Sequence, residues 1–347
     1  MTIEKKSLSS SFGKIEVRKD LELLKNISGF RVTPFLKEKL AYVGQLDSYE
    51  RGSEITKHLL GVAISDTTIH RITDSLGLEC EEWLIEEDLR NDLTGEELIY
   101  AQVDGSMILT REEKWKEVKL GRIFGASSCL SESESRNWLK ESEYVSHLGG
   151  HKEFENKMSA ILDEYSDFDE QLIFINDGAR WQWSWIESEY PKATQILDFY
   201  HAMEHIGKFL TLILKPKERK QNMTKCSEIL QEEGLDALWN EIEQLIKDKE
   251  RLLTQTQQSE KSKLKKYLEN NRKRMNYPVP IAIGIIKRGL LIGSGAIESA
   301  HRTVIQKRLK QAGQRWSIQG AKNMLNLRTL NMSGHWDRLV NAIAMSA

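Results

Sequence analysis

Three acidic residues, far apart in the chain, sit where side chains can be aimed at one place. Asp104 ends the run Ala101-Gln-Val-Asp-Gly105, and Asp177 ends Phe174-Ile-Asn-Asp-Gly178, each closing an apolar strand-like stretch just before a glycine. Glu298 lies in Gly293-Ser-Gly-Ala-Ile-Glu298-Ser-Ala-His301-Arg302, in the first turn of an expected helix studded with cations. Phosphoryl transfer between DNA strands needs an activated water or 3′-hydroxyl and a leaving oxygen relieved of charge. Two Mg²⁺ ions about 3.5–4 Å apart do both. Magnesium prefers oxygen ligands and keeps several waters, so two or three carboxylates suffice to hold it. Each acid also has a plainer reading. Asp-Gly is a common turn pair, and Glu298 could pair with Arg302 four residues on, worth about 0.2–0.5 kcal/mol.

A second constellation is Asp198-Phe-Tyr-His201. If a helix has begun there, Asp198 and His201 share a face, and His201 is placed to contact the scissile phosphate or orient a ligand carboxylate. Otherwise Asp198 is a helix N-cap and His201 a neutral, partly buried residue, with His205 widening the choice. No second soft ligand lies nearby for zinc.

The elements that must carry these residues follow from periodicity. Leu98-Ile-Tyr-Ala-Gln-Val103 reads as a strand, and Trp115-Lys-Glu-Val-Lys-Leu120 alternates with period two, so the pair predicts a hairpin. Tyr144 to Leu148 adds a third strand. Phe154, Met158, Ile161, Leu162 and Tyr165 mark one helix face. Gln171 to Ile175 is a continuous apolar run, as a strand buried on both faces would be. A short aromatic helix (Trp181, Trp183, Trp185, Ile186) precedes a fifth strand, Thr194 to Leu197. The order βββαβαβ predicts an α/β fold with a mixed sheet and helices on its faces.

Around this core the pattern is helical. Leu36, Leu40 and Val43 mark a first helix, Tyr49 to Leu60 a second, and Asp66 to Leu76 a third, with Ser65 as N-cap and Gly77 as stop. The last two read as a helix-turn-helix that would offer Asp66, Thr67, His70 and Arg71 to a DNA groove, although a plain helical hairpin gives the same pattern. From Met203 onward helices resume as an insertion before Gly293, with Pro278 and Pro280 marking its exit and Gln255 to Lys266 polar enough to be mobile. The division expected is a polar arm (1–29), a helical DNA-binding domain (30–96), the first part of the core (97–214), the helical insertion (215–290), and a catalytic helix with a basic region (291–347).

Composition excludes some classes. The 347 residues carry 50 Lys and Arg against 52 Asp and Glu, a net charge of −2, which argues against a protein that coats nucleic acid indiscriminately. The cations are unevenly spread: Lys287 to Arg338 holds ten of them against two acids. That is a footprint fit for phosphates, from which Arg302, Lys307, Arg308, Lys310 and Arg315 are the candidate DNA contacts. No run approaches a membrane span, and the start lacks the apolar core of a secretory signal, so a cytoplasmic, nucleoid-associated protein is expected. Cys80, Cys129 and Cys226 fit neither a disulfide framework nor CxxC spacing. Trp181 and Trp316 are expected to pack core rather than stack on bases.

Taken together, Val103-Asp-Gly-Ser-Met107, Trp115-Lys-Glu-Val-Lys-Leu-Gly121, Asn176-Asp-Gly-Ala-Arg-Trp181, Leu197-Asp-Phe-Tyr-His201, Arg308-Leu-Lys-Gln-Ala-Gly-Gln-Arg-Trp316 and Leu325-Asn-Leu-Arg328 resemble the ISKra-type bacterial insertion-sequence transposases, an Asp-Asp-Glu group related to the Mutator-like superfamily. The likeness spans about residues 30–340, and its last blocks are the most specific. It implies a ribonuclease H-like core carrying Asp104, Asp177 and Glu298 as catalytic and metal-binding residues, and an Asp-x-x-His element at Asp198 and His201. It further implies two Mg²⁺ ions with Mn²⁺ as a substitute, double-stranded DNA partners (terminal inverted repeats and target), and a homo-oligomer on DNA. Relatives often carry an amino-terminal cysteine-rich zinc ribbon, and this sequence has no CxxC spacing for one. A ribbon-free variant and a truncated copy both fit that departure. The rival readings are a non-catalytic helix-turn-helix DNA-binding protein, a nuclease with the same core but no strand transfer, and, more distantly, a glycosidase using two of the acids.

Overall fold

A computed structural model describes residues 32–80, 98–129, 139–165, 169–247, 253–277 and 291–345, and the backbone of 5–10, 13–18, 81–83, 130–133, 136–138 and 248. Pro278, Pro280, Lys287 and Arg288 lie outside the described residues. In the segment expected to be a frayed arm, β1 (Lys5–Ser10) and β2 (Gly13–Arg18) instead pair antiparallel. Three helices follow, α1 (Pro34–Leu46), α2 (Tyr49–Leu60) and α3 (Asp66–Trp83). Thr33 and Ser48 cap the first two with side-chain oxygens that accept from backbone N–H groups three residues on.

Gly77 does not stop α3, which runs on to Trp83. A Cβ at Gly77 would stand 2.3 Å from the Asn323 carbonyl oxygen, so the residue is kept small by a crossing helix rather than by a helix end.

The sheet is built from β3 (Ile99–Thr110), β4 (Lys114–Gly125), β7 (Glu143–Leu148), β8 (Leu172–Asn176) and β9 (Thr194–Leu197), in the spatial order β7-β4-β3-β8-β9. Only β4 runs against the others, so in chain order the strands stand third, second, first, fourth, fifth. A small pair that periodicity did not reveal, β5 (Cys129–Ser133) and β6 (Arg136–Leu139), leads into β7. Helices α4 (His151–Tyr165), α5 (Arg180–Glu189) and α6 (Phe199–Ile213) fall where the apolar spacing puts them. The helical stretch before Gly293 holds α7 (Pro216–Glu232), α8 (Leu235–Asp248) and α9 (Gln255–Asn270). The polar Gln255 to Lys266 region, expected to be mobile, is the body of α9. Thr254 and Gln257 form a capping box at its start, and Leu264 and Leu268 are buried beneath it.

The chain then enters α10 (Gly295–Ala300), which continues through a π-helical stretch, His301–Gln306, into a last turn, Lys307–Leu309. It ends in α11 (Ile318–Met332) and α12 (Trp336–Met345). The core has three parts. One lies between the sheet, α4 to α6 and the helical stretch. A second joins β3, β4 and β7 to α10 and α11 through Ile108, Leu120, Ile297, Val304 and Met324. The third joins α1 and α3 to α11 and α12 through Leu40, Ile69, Leu76, Leu327 and Leu339. No helix among the described residues is long and apolar enough to cross a membrane.

A candidate active site at the ends of the parallel strands

Parallel register brings three aspartates level. Ala101 pairs with Phe174 across β3 and β8, an offset of 73, and Asp104 and Asp177 are separated by that same 73 residues. Asn176 pairs with Leu197 across β8 and β9, an offset of 21, and the next pair at that offset is Asp177 and Asp198. The Asp198 N–H donates to the Asn176 carbonyl at 2.8 Å, carrying the lateral bonding past the strand end. Neighbouring strands lie about 4.8 Å apart, so the three acids form a row across one end of the parallel strands.

Asp104 does not end its strand, as the Asp-Gly pair suggested. It stands mid-β3, opposite Leu120, and the hairpin turns only beyond Thr110. Its backbone is fixed from behind by buried amides. The Asn176 Oδ1 accepts from the Val103 N–H at 2.9 Å, and the Gln182 Nε2 donates to the Val103 carbonyl at 3.2 Å. The residue before the acid is thus held at both its N–H and its carbonyl.

Glu298 arrives on α10, and the attachment of α10 was not anticipated. Gln102, buried on β3, donates from Nε2 to the Gly293 carbonyl at 3.2 Å and accepts at Oε1 from the Ile297 N–H at 3.0 Å. Its cross-strand partner Arg122 donates from Nη1 to the Ala296 carbonyl at 2.8 Å. Residues two apart on a strand point to one face, so Gln102 and Asp104 share the face that carries α10. Gly293 makes the approach possible, since a Cβ there would stand 2.5 Å from the Tyr200 ring. A glutamine within an apolar strand run was the available signal for this clamp.

The acids divide into two linked groups. Asp104 is held up to about 6 by burial first, offset by the Gly105 N–H at 2.6 Å, and then raised by the Asp177 charge and lowered by His201. Asp198 caps α6 as the plainer reading expected, accepting from the Tyr200 N–H at 2.8 Å, and is buried. It also accepts from the Ser294 hydroxyl, which lies 3.5 Å from Glu298 Oε1. Glu298 is exposed and turns toward Ser294; no ion pair joins it to Arg302 among the described residues. No group of three or more His, Cys, Asp or Glu among the described residues stands ready to hold a metal ion. Asp104 and Asp177 are oxygen donors whose charges repel, and a hard cation would relieve that repulsion, whereas Glu298 meets the row through Ser294 and Asp198.

His201 is half-buried, its ring 5.1 Å from that of His205, which stacks on Tyr267 of α9 at 4.0 Å. The Tyr267 hydroxyl is buried without a partner and feels the charges of Asp177 and Asp198. His301 is buried with its Nε2 3.4 Å from the Asp104 Oδ2. Burial pushes it down to about 4 despite Asp104, which leaves it neutral at pH 7. Lys310 is exposed and donates to Ser106, two residues beyond Asp104.

The expected DNA contacts fall into two sets. Thr67, His70 and Arg71 are exposed along α3, as are Arg302, Lys307 and Arg315 in the carboxy-terminal segment. Arg308 is not a surface cation. It is 1% exposed, donates to the Gly44 carbonyl at 2.9 Å, and lies between the rings of Tyr49 and Trp316 at 4.7 and 4.9 Å. Arg328, counted with the same cations, is also buried and donates to the carbonyls of Thr303, Val304 and Gln45. Trp316 is core, as expected, and Trp181 packs on Phe154 with Lys119 over its ring.

A protein of Streptococcus gallolyticus described as "UPF0236 protein in vanSb 3′region" is 25% identical to this chain over 313 residues, 88% of this chain and 64% of that relative. The chain thus spans just under two thirds of the length of the curated relative it matches. The family profile of UPF0236, an uncharacterised protein family, matches residues 24–343, nearly the whole of the chain. On that match the chain belongs to the UPF0236 family.

Proposed function

We propose that this chain is the DNA transposase of an insertion sequence, of the ISKra type, with a ribonuclease H-like core and an Asp104, Asp177, Glu298 triad. The observation that carries the reading is the shared offset of 73 residues, in strand register and in acid spacing, which sets Asp104 and Asp177 level on adjacent parallel strands. The strand order, with the second strand alone antiparallel, supports a ribonuclease H-like core. The attachment of α10 to β3 through Gln102 supports Glu298 as the third member.

Asp104, Asp177 and Glu298 would hold two Mg²⁺ ions, with Mn²⁺ as a substitute, and bound ions there supply charge neutralisation at a phosphate and a more acidic water. The chain's own residues do the positioning. Asn176 and Gln182 fix Val103, the residue before Asp104, and Gln102 with Arg122 sets the turn before Glu298. His301 stands neutral beside the Asp104 carboxylate and adds no competing charge. Exposed Arg302, Lys307 and Lys310 leave the same helix and meet the phosphates of the inverted repeats and of target DNA. A homo-oligomer would bring two element ends together.

The test uses duplexes from the DNA flanking the reading frame, incubated in Mg²⁺ with wild type and with Asp104→Asn. Wild type is expected to cut at the repeat boundary and to join pre-cut 3′ ends to a second duplex, and the variant to bind without cutting. Binding without cutting by wild type would leave a non-catalytic helix-turn-helix DNA-binding protein. Cutting without joining would leave a nuclease.

A further inference from the structure

Beyond the tip of the β3–β4 hairpin lies a cleft of about 300 Å³ bordered by Tyr49, His70, Arg111, Arg308, Arg315 and Trp316. Three arginines border it from three segments: the hairpin turn, the end of the α10 extension and the loop before α11. The walls are knitted together. The Arg111 N–H donates to the Trp316 carbonyl at 2.8 Å, the Trp316 N–H to the Leu109 carbonyl at 3.1 Å, and the Arg111 Nε to the Arg315 carbonyl at 3.3 Å.

The acids nearby are already engaged. Glu112 accepts from the Ile318 N–H at 3.2 Å, Asp74 from the Asn323 amide at 2.8 Å, and Asp47 from the Ser48 N–H at 2.7 Å. Among the described residues no carboxylate stands at ion-pair distance from Arg111, Arg308 or Arg315. Arg308 forms the floor, and its Nη2 is buried with no hydrogen-bond partner. A buried guanidinium with a spare donor is costly unless an acceptor completes it. A cleft bordered by two further arginines selects an anionic oxygen acceptor, and planar forks of this kind match phosphate.

We propose that this cleft seats a backbone phosphate of a DNA strand, as an anchoring site separate from the acidic row. The inference rests on the reading of the chain as a DNA-binding transposase and adds to it a phosphate-specific clamp that needs no metal. Arg111 and Arg315 are exposed, so replacing them leaves the core intact, whereas Arg308 is part of the packing.

The test measures binding of a labelled random-sequence duplex by anisotropy in EDTA, where no cutting can occur. Wild type is compared with Arg111→Ala/Arg315→Ala and with Lys217→Ala/Lys220→Ala, which removes the same charge from exposed positions on α7. The cleft double variant is expected to bind about tenfold or more weakly, with a salt slope lower by about 1–2. The control is expected to lose less, and Arg111→Lys/Arg315→Lys to recover only part. Equal losses in both alanine pairs would reduce the effect to bulk charge and overturn the clamp. Undiminished binding by the cleft variant would overturn it while leaving the transposase reading intact. If inorganic pyrophosphate raises the wild-type melting temperature through Arg111 and Arg315 while DNA binding ignores them, the cleft takes a free phosphate and the proposal fails. Failure of wild type to bind DNA at all would sink both.

Discussion

Asp104 and Arg111 lie seven residues apart on and just beyond β3, yet they belong to regions built on opposite principles. The acidic row is made by the sheet itself: register sets the level of Asp104, Asp177 and Asp198, and buried amides from Asn176, Gln182 and Gln102 fix the backbone behind them. The arginine cleft is made by long-range convergence, with Arg111, Arg308 and Arg315 brought together by the hairpin tip and the loop before α11. In the first region like charges are crowded and one carboxyl is pushed up. In the second, cations are buried or gathered with a donor left unused. Both arrangements concentrate unmet electrostatic demand, and the two demands have opposite sign.

The contrast can be broken most severely at the acids. Asp104→Asn is expected to cut cleavage of an end-bearing duplex by about a thousandfold or more, the equivalent of the several kcal/mol that metal-held carboxylates contribute to a transition state. Its metal-free binding of DNA should be unchanged, and gel assays of both steps on one preparation check the pair. A comparable fall in metal-free binding would show that the two regions are not separable.

The buried arginines come next. Arg328→Met should destabilise the fold by about 3 kcal/mol or more, because it strips donors from the buried carbonyls of the π-helical stretch and of Gln45. Arg302→Ala, on the exposed side of that stretch, should shift stability by less than about 0.5 kcal/mol. Urea unfolding of the two variants separates buried from solvated cations. Gly77→Ala should cost about 1–3 kcal/mol by forcing α3 off the Asn323 backbone, and the same denaturation curves read it.

The smallest effect is pH-dependent. Asp104 keeps its proton in the fold up to about 6, above the ordinary 3.8, so its contribution to stability falls as pH rises through that window. His301, lowered from 6.5 to about 4, acts in the opposite sense and gains as pH rises. Asp104→Asn removes only the first effect. In EDTA it should therefore melt above wild type at about pH 8, by no more than about 1 kcal/mol once solvent screening of a part-exposed carboxylate is allowed for. The gap should close toward about pH 4. A gap that widens on acidification would contradict the sign.

Much of the framework was legible in the residues. Apolar spacing located α4, α5, α6 and the strands flanking Asp104 and Asp177, because burial in a layered α/β fold is written as periodicity. Three features were hidden for physical reasons. Asp-Gly at 104–105 read as a turn, whereas cross-strand pairing carries β3 straight through it. Gly77 read as a stop, but its small size serves a helix crossing that local sequence cannot show. Arg308 and Arg328 read as surface charge, since composition counts cations without knowing which carbonyls will fold over them. At the candidate site the acids are visible in the sequence, whereas the roles of Gln102 and His301 are not, because they depend on α10 reaching β3.

The most direct measurement is a calorimetric titration of Mn²⁺ into wild type and into Asp104→Asn, Asp177→Asn and Glu298→Gln at about pH 8. A shared centre requires wild type to bind and each single variant to lose about tenfold or more in affinity. Undiminished binding in any one of the three, or none in wild type, would contradict the joining of the strand-borne aspartates and the helix-borne glutamate into one metal-dependent site.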